Sequence, residues 1–212
     1  MRKNLYIIGA GGFGRECVGT FRLWNGFGDQ YAIKGFLDDN AEALDGYGDY
    51  PPIVGAVETY KPRKNDVFLC ALGVVKWRKR CIDLVLGNGG RFETIVSPKA
   101  TVHRSAVLGS GDLILDHAIV SSDVKVGDYV LCHPNVVLGH DTRVENHVVC
   151  EAFAFTGGFA KIREGATLHT RATILPYKRV GAGATVGAGS TVISNVKDGK
   201  TVFGVPAIDI DL

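Results

Sequence analysis

Hydrophobic and polar positions follow two different rules along the chain. Up to about Glu93, short apolar runs alternate with loops and with stretches of helical spacing. Residues 5–8 form a first apolar run that ends in Gly9-Ala10-Gly11-Gly12-Phe13-Gly14. Residues 15–24 read as a helix, 32–37 as a second strand closed by Asp38-Asp39, 66–71 as a third strand and 76–86 as another helix. Strands alternating with helices predict a parallel sheet with crossover helices. The expectation for residues 1–93 is therefore an α/β, Rossmann-like half domain.

From Val96 onward the chain can be written in sixes without a slip through Phe203. Of the 18 first positions, 14 are Val, Ile or Leu; the exceptions are Cys132, Cys150, Thr156 and Asp198. Position five is usually Ala, Val, Ser or Thr. A fixed short period is the signature of a solenoid. Each hexad supplies one short strand and a turn, and three make a triangular coil of 18 residues. Position one then points inward and stacks on the residue one coil further on. Small residues at position five fit the corner, and glycine at position two is expected to accept backbone angles that other residues avoid. Six coils at a strand spacing of about 4.8 Å make a prism about 29 Å tall. The expectation for residues 94–212 is an all-β left-handed parallel β-helix.

Composition changes this picture little. Glycine, at 28 of 212 residues, is in excess, and the repeat accounts for it. The net charge is only +2 with no long basic run, so neither a nucleic-acid nor a membrane surface is expected. Five scattered cysteines without a C-x-x-C pair read as reduced thiols, and the first apolar run is too short for a signal sequence or a membrane span. Together they predict a cytoplasmic protein.

The opening Tyr6-Ile7-Ile8-Gly9-Ala10-Gly11-Gly12-Phe13-Gly14-Arg15-Glu16, Phe36-Leu37-Asp38-Asp39, the long hexapeptide repeat and the closing Gly204-Val205-Pro206-Ala207 together resemble one family. It is the bacterial sugar O-acyltransferase family, which includes sialic acid O-acetyltransferases and N-acetyltransferases of nucleotide-linked 4-amino-sugars. The resemblance covers nearly the whole chain. It implies an acetyl-CoA-dependent acetyltransferase that acts as a homotrimer, with CoA lying between neighbouring β-helices.

Acyl transfer from a thioester needs a base for the attacking group and a donor for the oxyanion. His140, in Val136-Val137-Leu138-Gly139-His140-Asp141, stands at position three of its hexad, and Asp141 can bind its other ring nitrogen. The resemblance implies His140 as general base, Asp141 as its orienting partner and Gly158, one coil later, as the backbone donor to the thioester carbonyl. Where the family often has Asn seven residues before the base, this chain has His133; where it often has His nine residues after, this chain has Val149. His133 is a candidate for a polar role toward the substrate. Cys132 and Cys150, at inward positions, read as core residues rather than nucleophiles. Lys178 and Arg179 are candidates for CoA phosphates.

Gly9-x-Gly11-x-x-Gly14 follows a strand and opens a helix, the context of a phosphate-cradling loop. Alone it suggests a dinucleotide site and a nicotinamide-dependent oxidoreductase, but about 90 residues supply only one mononucleotide-binding half. The resemblance instead assigns Gly11, Gly12, Gly14 and Asp38 to the nucleotide of a sugar substrate. No metal is expected, since His133, His140 and His147 are spaced by seven and nothing in that spacing makes ligands converge. A competing enzyme reading is O-acetylation of a sialic acid; a competing class is a β-helix scaffold without catalysis.

Overall fold

In a computed structural model, which describes residues 2–210, the chain divides after Glu93 into two units. The first is built on β1 (Lys3–Ile8), β2 (Tyr31–Leu37), β3 (Ile53–Gly55) and β4 (Asp66–Cys70), with helices α1 (Gly12–Leu23), α2 (Phe27–Gln30) and α3 (Val75–Gly87). The strands make one parallel sheet of order β3-β2-β1-β4. Leu5, Ile7 and Ile8 of β1 and all of β4 are buried, as strands covered on both faces must be. α1 buries Gly14, Cys17, Val18 and Phe21, an i, i+3, i+4, i+7 stripe. α3 buries Ile82, Val85 and an arginine, Arg78, whose Nη1 donates to the carbonyls of Cys70 at 2.7 Å and Leu72 at 3.1 Å. That side chain ties the helix to the chain leaving β4. The sequence pattern does not reveal β3 or α2, because three and four residues are too few to show a period.

The second unit repeats two-residue strands on three faces. Leu131 pairs with Val149, Val137 with Phe155 and Arg143 with Lys161, each in parallel and 18 residues apart. The result is a three-faced parallel β-helix. Its interior is one continuous hydrophobic cluster running from Ile114 to Val202 that includes Cys132 and Cys150, and Thr156 is as buried as the aliphatic residues at equivalent positions. The frame of six, however, slips after Val192. Val180 bridges to Val196, and Thr185 pairs with Thr201, so the last coil advances by 16 residues. Val196 and Val202 take the inward places, and Asp198 lies outside, where Oδ1 accepts the Ala182 N–H at 3.1 Å. Residues 201–203 then pair antiparallel with 208–210, which closes the ladder of the first face.

The role expected for glycine at position two is also corrected. The left-handed residues stand at position four: His117, Asp123, Tyr129, Asn135, Asp141, His147, Phe153, Phe159, Arg171 and Tyr177 all have φ between 59° and 64°. Before the frame slips, the position-two glycines have no positive φ. They are needed for close approach instead. A Cβ on Gly139 would lie 2.5 Å from the Thr156 carbonyl oxygen and 2.9 Å from the Gly158 nitrogen, both backbone atoms of the next coil. Backbone cannot rotate out of the way as a side chain can. Gly139→Ala is therefore expected to cost about 1–3 kcal/mol, read as a lower urea midpoint, whereas Gly183→Ala pays only for its left-handed φ of 62°.

Candidate active site

His140 lies where the second face, residues 137–138, turns into the third, 143–144. In an extended strand, successive side chains point to opposite sides. The left-handed φ of 59° at Asp141 breaks that alternation and brings two adjacent side chains together. The Asp141 Oδ2 lies 3.0 Å from His140 Nδ1. Aspartate tolerates the left-handed region better than most residues, so one residue type serves both the turn and the contact. Coils on either side hold the backbone: the Asp141 N–H donates to Ser122 O, and the Phe159 N–H to His140 O, both at 3.0 Å.

A carboxylate only accepts, so Nδ1 carries the proton in the neutral ring and Nε2 is left with a lone pair. The ring is 62% exposed and lies over Gly158. A Cβ there would sit 2.5 Å from Cε1 and 2.6 Å from Nε2, so only glycine admits the imidazole in this position. At some comparable places on other turns the backbone N–H is taken by a side chain, as at Asp128 by Asn146 and at Thr170 by Glu151. For Gly158 there is no such acceptor among the described residues. A lone pair able to take a proton and an amide able to donate a hydrogen bond thus adjoin on one surface.

Beneath this edge lie two hydroxyls that the sequence pattern did not single out as a pair. Thr142 Oγ1 is 3.4 Å from Thr156 Oγ1 and donates to Gly157 O at 3.3 Å, all within the core. They satisfy each other and anchor the Gly157–Gly158 turn. His133 occupies a different edge of the helix, between the first and second faces. Its neighbours one and two coils on are Glu151 and His169, a second imidazole–carboxylate pair with Nδ1 3.0 Å from Oε1. Burial raises the Glu151 pKa, but hydrogen bonds from His169 and Thr170 outweigh it and the net shift is downward. Cys132 and Cys150 are both fully buried, and the Cys132 thiol is pushed up by its hydrogen bond to Cys150 and by burial, so it does not supply a thiolate. Lys178 and Arg179 are half-buried, Lys178 just after the turn that carries Tyr177 and Arg179 at the start of the following strand.

In the first unit, a cavity of about 260 Å³ opens at the carboxyl ends of the strands. It is lined by Gly9 after β1, Leu37 at the end of β2, Asp38 and Asp39 after it, Leu72 and Val74 after β4, and Trp77 and Cys81 of α3. This is where open parallel sheets hold ligands. The four glycines divide by role. A Cβ on Gly9 would meet Leu72, and one on Gly14 would meet the Gly9 carbonyl, so both serve packing. Gly11 caps α1 and Gly12 begins it, and a Cβ on either would meet nothing. Their amides lie at the open end of a 12-residue helix. Asp38 is already engaged: Oδ2 accepts the Ala10 N–H at 2.7 Å and Oδ1 the Asn40 N–H at 2.9 Å. It braces the glycine loop. Asp39, which with Asp38 closes the second strand where a ribose-binding acid is expected from the sequence, uses one oxygen on the Val57 N–H at 3.2 Å and lines the cavity.

Residues 4–85 match the PglD N-terminal domain family. Over nearly its whole length the chain also matches the acetyltransferase domain of PglB from Neisseria gonorrhoeae FA1090. The identity is 26%, 99% of this chain and 100% of that one are covered, and the TM-score is 0.86. The first unit thus matches the PglD N-terminal domain, and the chain as a whole has the fold of the PglB acetyltransferase domain. The PglB domain is also known in complex with acetyl coenzyme A, and that structure matches with a TM-score of 0.85 at 26% identity over 99% of this chain and 100% of that one. A point variant of perosamine N-acetyltransferase from Caulobacter crescentus, in complex with CoA and GDP-perosamine, shares the fold. Its TM-score is 0.87 at 22% identity, over 99% of this chain and 97% of that one. Serine acetyltransferase from Salmonella typhimurium is 33% identical over 135 residues, 62% of this chain and 44% of its own length. The chain thus spans less than half the length of that curated relative. The β-helix is of the left-handed kind that these enzymes share. Among the described residues, no helix is long and apolar enough to cross a membrane, and no group of His, Cys, Asp or Glu is placed to hold a metal ion.

Proposed function

We propose that the protein transfers the acetyl group of acetyl-CoA to the amine of a nucleotide-linked 4-amino-sugar. The observation that carries the reading is the His140–Asp141 pair at 3.0 Å beside the unengaged Gly158 amide. The amine nitrogen attacks the thioester carbonyl, and His140 Nε2 takes its proton. The Gly158 N–H donates to the oxygen that gains charge, the carbon–sulfur bond breaks, and the proton passes from the imidazole to the departing thiolate. Asp141 holds the tautomer and offsets the imidazolium charge. Transfer is direct, since Cys132 and Cys150 are buried in the core and the Cys132 thiol is held well above its usual pKa by its hydrogen bond to Cys150 and by burial.

The cavity of the first unit supports a nucleotide there, with the diphosphate at the Gly11 and Gly12 amides and the base against Trp77 and Asp39. A homotrimer, with CoA in the groove between neighbouring β-helices and Lys178 and Arg179 near its phosphates, completes the proposal. The neighbours' acetyl-CoA and GDP-perosamine complexes support both ligand classes.

The test is thiol release from acetyl-CoA against UDP-, dTDP- and GDP-linked 4-amino-sugars, with sialic acid and the matching 4-hydroxy sugar nucleotides alongside. Release with an amino-sugar and none with its hydroxy counterpart is the expected result. Release with sialic acid alone would replace N-transfer by O-transfer, and no release with any acceptor would sink the reading.

A further inference from the structure

Positions 141, 159 and 177 form a column on the edge that carries His140, each one coil from the next. The second and third members are Phe159 and Tyr177, with φ of 60° and 64°. A bulky residue in the left-handed region is conformationally unfavourable, and glycine or asparagine suits it better. Burial in the core does not offset that cost, because Phe159 is 41% and Tyr177 72% exposed. The two rings stack on one another, centroids 5.0 Å apart and 3° from parallel. Phe159 in turn meets the His140 imidazole nearly at right angles, at 5.4 Å and 87°.

We infer that Phe159 is a positioning residue for the His140 imidazole, backed by Tyr177. This rests on the reading of His140 as the base. The bond to Asp141 restrains one ring nitrogen, and the remaining freedom of the imidazole is rotation about its Cα–Cβ and Cβ–Cγ bonds. Gly158 supplies a floor on one side. The Phe159 ring closes another and confines the ring to a plane in which Nε2 stays over Gly158. The stack on Tyr177 keeps Phe159 itself from turning away. Edge-to-face contact is a preferred aromatic geometry, so the arrangement is an energy minimum rather than a mere obstruction.

Phe159→Asn tests this, since asparagine suits the backbone and removes the ring. The unfolding midpoint is expected to hold or rise. The kcat is expected to fall about tenfold, within the range that small misplacements of a catalytic group produce, with the KM for acetyl-CoA unchanged. Nitrogen-15 spectra of the His140 imidazole, recorded without substrate, are expected to lose the single Nδ1-protonated tautomer and show averaging. Phe159→Tyr is expected to restore both. An unchanged spectrum overturns the inference, whatever the rate does, because the ring then acts on something other than His140. If His140→Ala retains activity while Phe159→Asn still alters the imidazole spectrum, positioning stands and the assignment of the base fails. Should the asparagine variant not fold, Tyr177→Ala removes an exposed ring and is expected to give the same spectral change at smaller amplitude; no change in it overturns the inference.

Discussion

Replacing His140 with alanine is expected to lower acceptor-dependent CoA release by about 100-fold or more, the usual worth of a positioned general base. The fold gives little reason for structural loss. The side chain is 62% exposed, and the flanking backbone bonds, Asp141 N–H to Ser122 O and Phe159 N–H to His140 O, do not depend on it. Equal unfolding curves for the two proteins are therefore part of the expected result. Asp141→Asn is expected to lie between them. Its amide still reaches Nδ1, but it can donate as well as accept, so the tautomer with a free Nε2 loses its preference and the imidazolium loses its counter-charge. Unchanged release in His140→Ala would sink His140 as the base. A proportional fall in kcat and kcat/KM would mark an interaction made only in the transition state.

The sequence makes the β-helix legible because its inward side chains obey one linear rule that any reader can count. It fails where the rule becomes columnar. Phe159 and Tyr177 are unrelated along the chain and meet only because each coil places position four above the last. Thr142 and Thr156 look like small core residues at positions five and one, and their mutual hydrogen bond joins two different places in the hexad. Asp198 broke the inward pattern, and the cause is a coil shortened to 16 residues, which a fixed frame cannot express. The His140–Asp141 pair is adjacent in sequence, but its contact depends on a left-handed turn that no composition of six predicts for aspartate alone. In the first unit the glycine loop announces itself, yet the division into packing and open glycines depends on what each missing Cβ would touch. Asp38 illustrates the same limit: its place at the end of β2 is readable, and its commitment to Ala10 and Asn40 is not.

Leu168→Ala is expected to be among the most destabilising single truncations in the β-helix, at about 2–5 kcal/mol. Leu168 is fully buried, and its strand pairs with Cys150 on one side and Val186 on the other. Closing the space it leaves would require neighbouring coils to approach. Their separation is set by backbone hydrogen bonds such as Glu151 N–H to Leu168 O at 2.8 Å and His169 N–H to Val186 O at 2.9 Å, which hold the cavity open. A cavity that cannot relax places the cost in the upper part of the range. For a chain of this size that corresponds to a fall of about 4–20 °C in Tm. Each coil contacts only its neighbours, so the loss is local in origin, but it interrupts the stack midway and is expected to melt the β-helix as a unit. Val107→Ala, at an outward position that is 56% exposed, is the control and is expected to stay within about 0.5 kcal/mol of wild type. A Leu168→Ala cost below about 1 kcal/mol would show that the interior collapses around the lost side chain, which the fixed coil spacing does not allow.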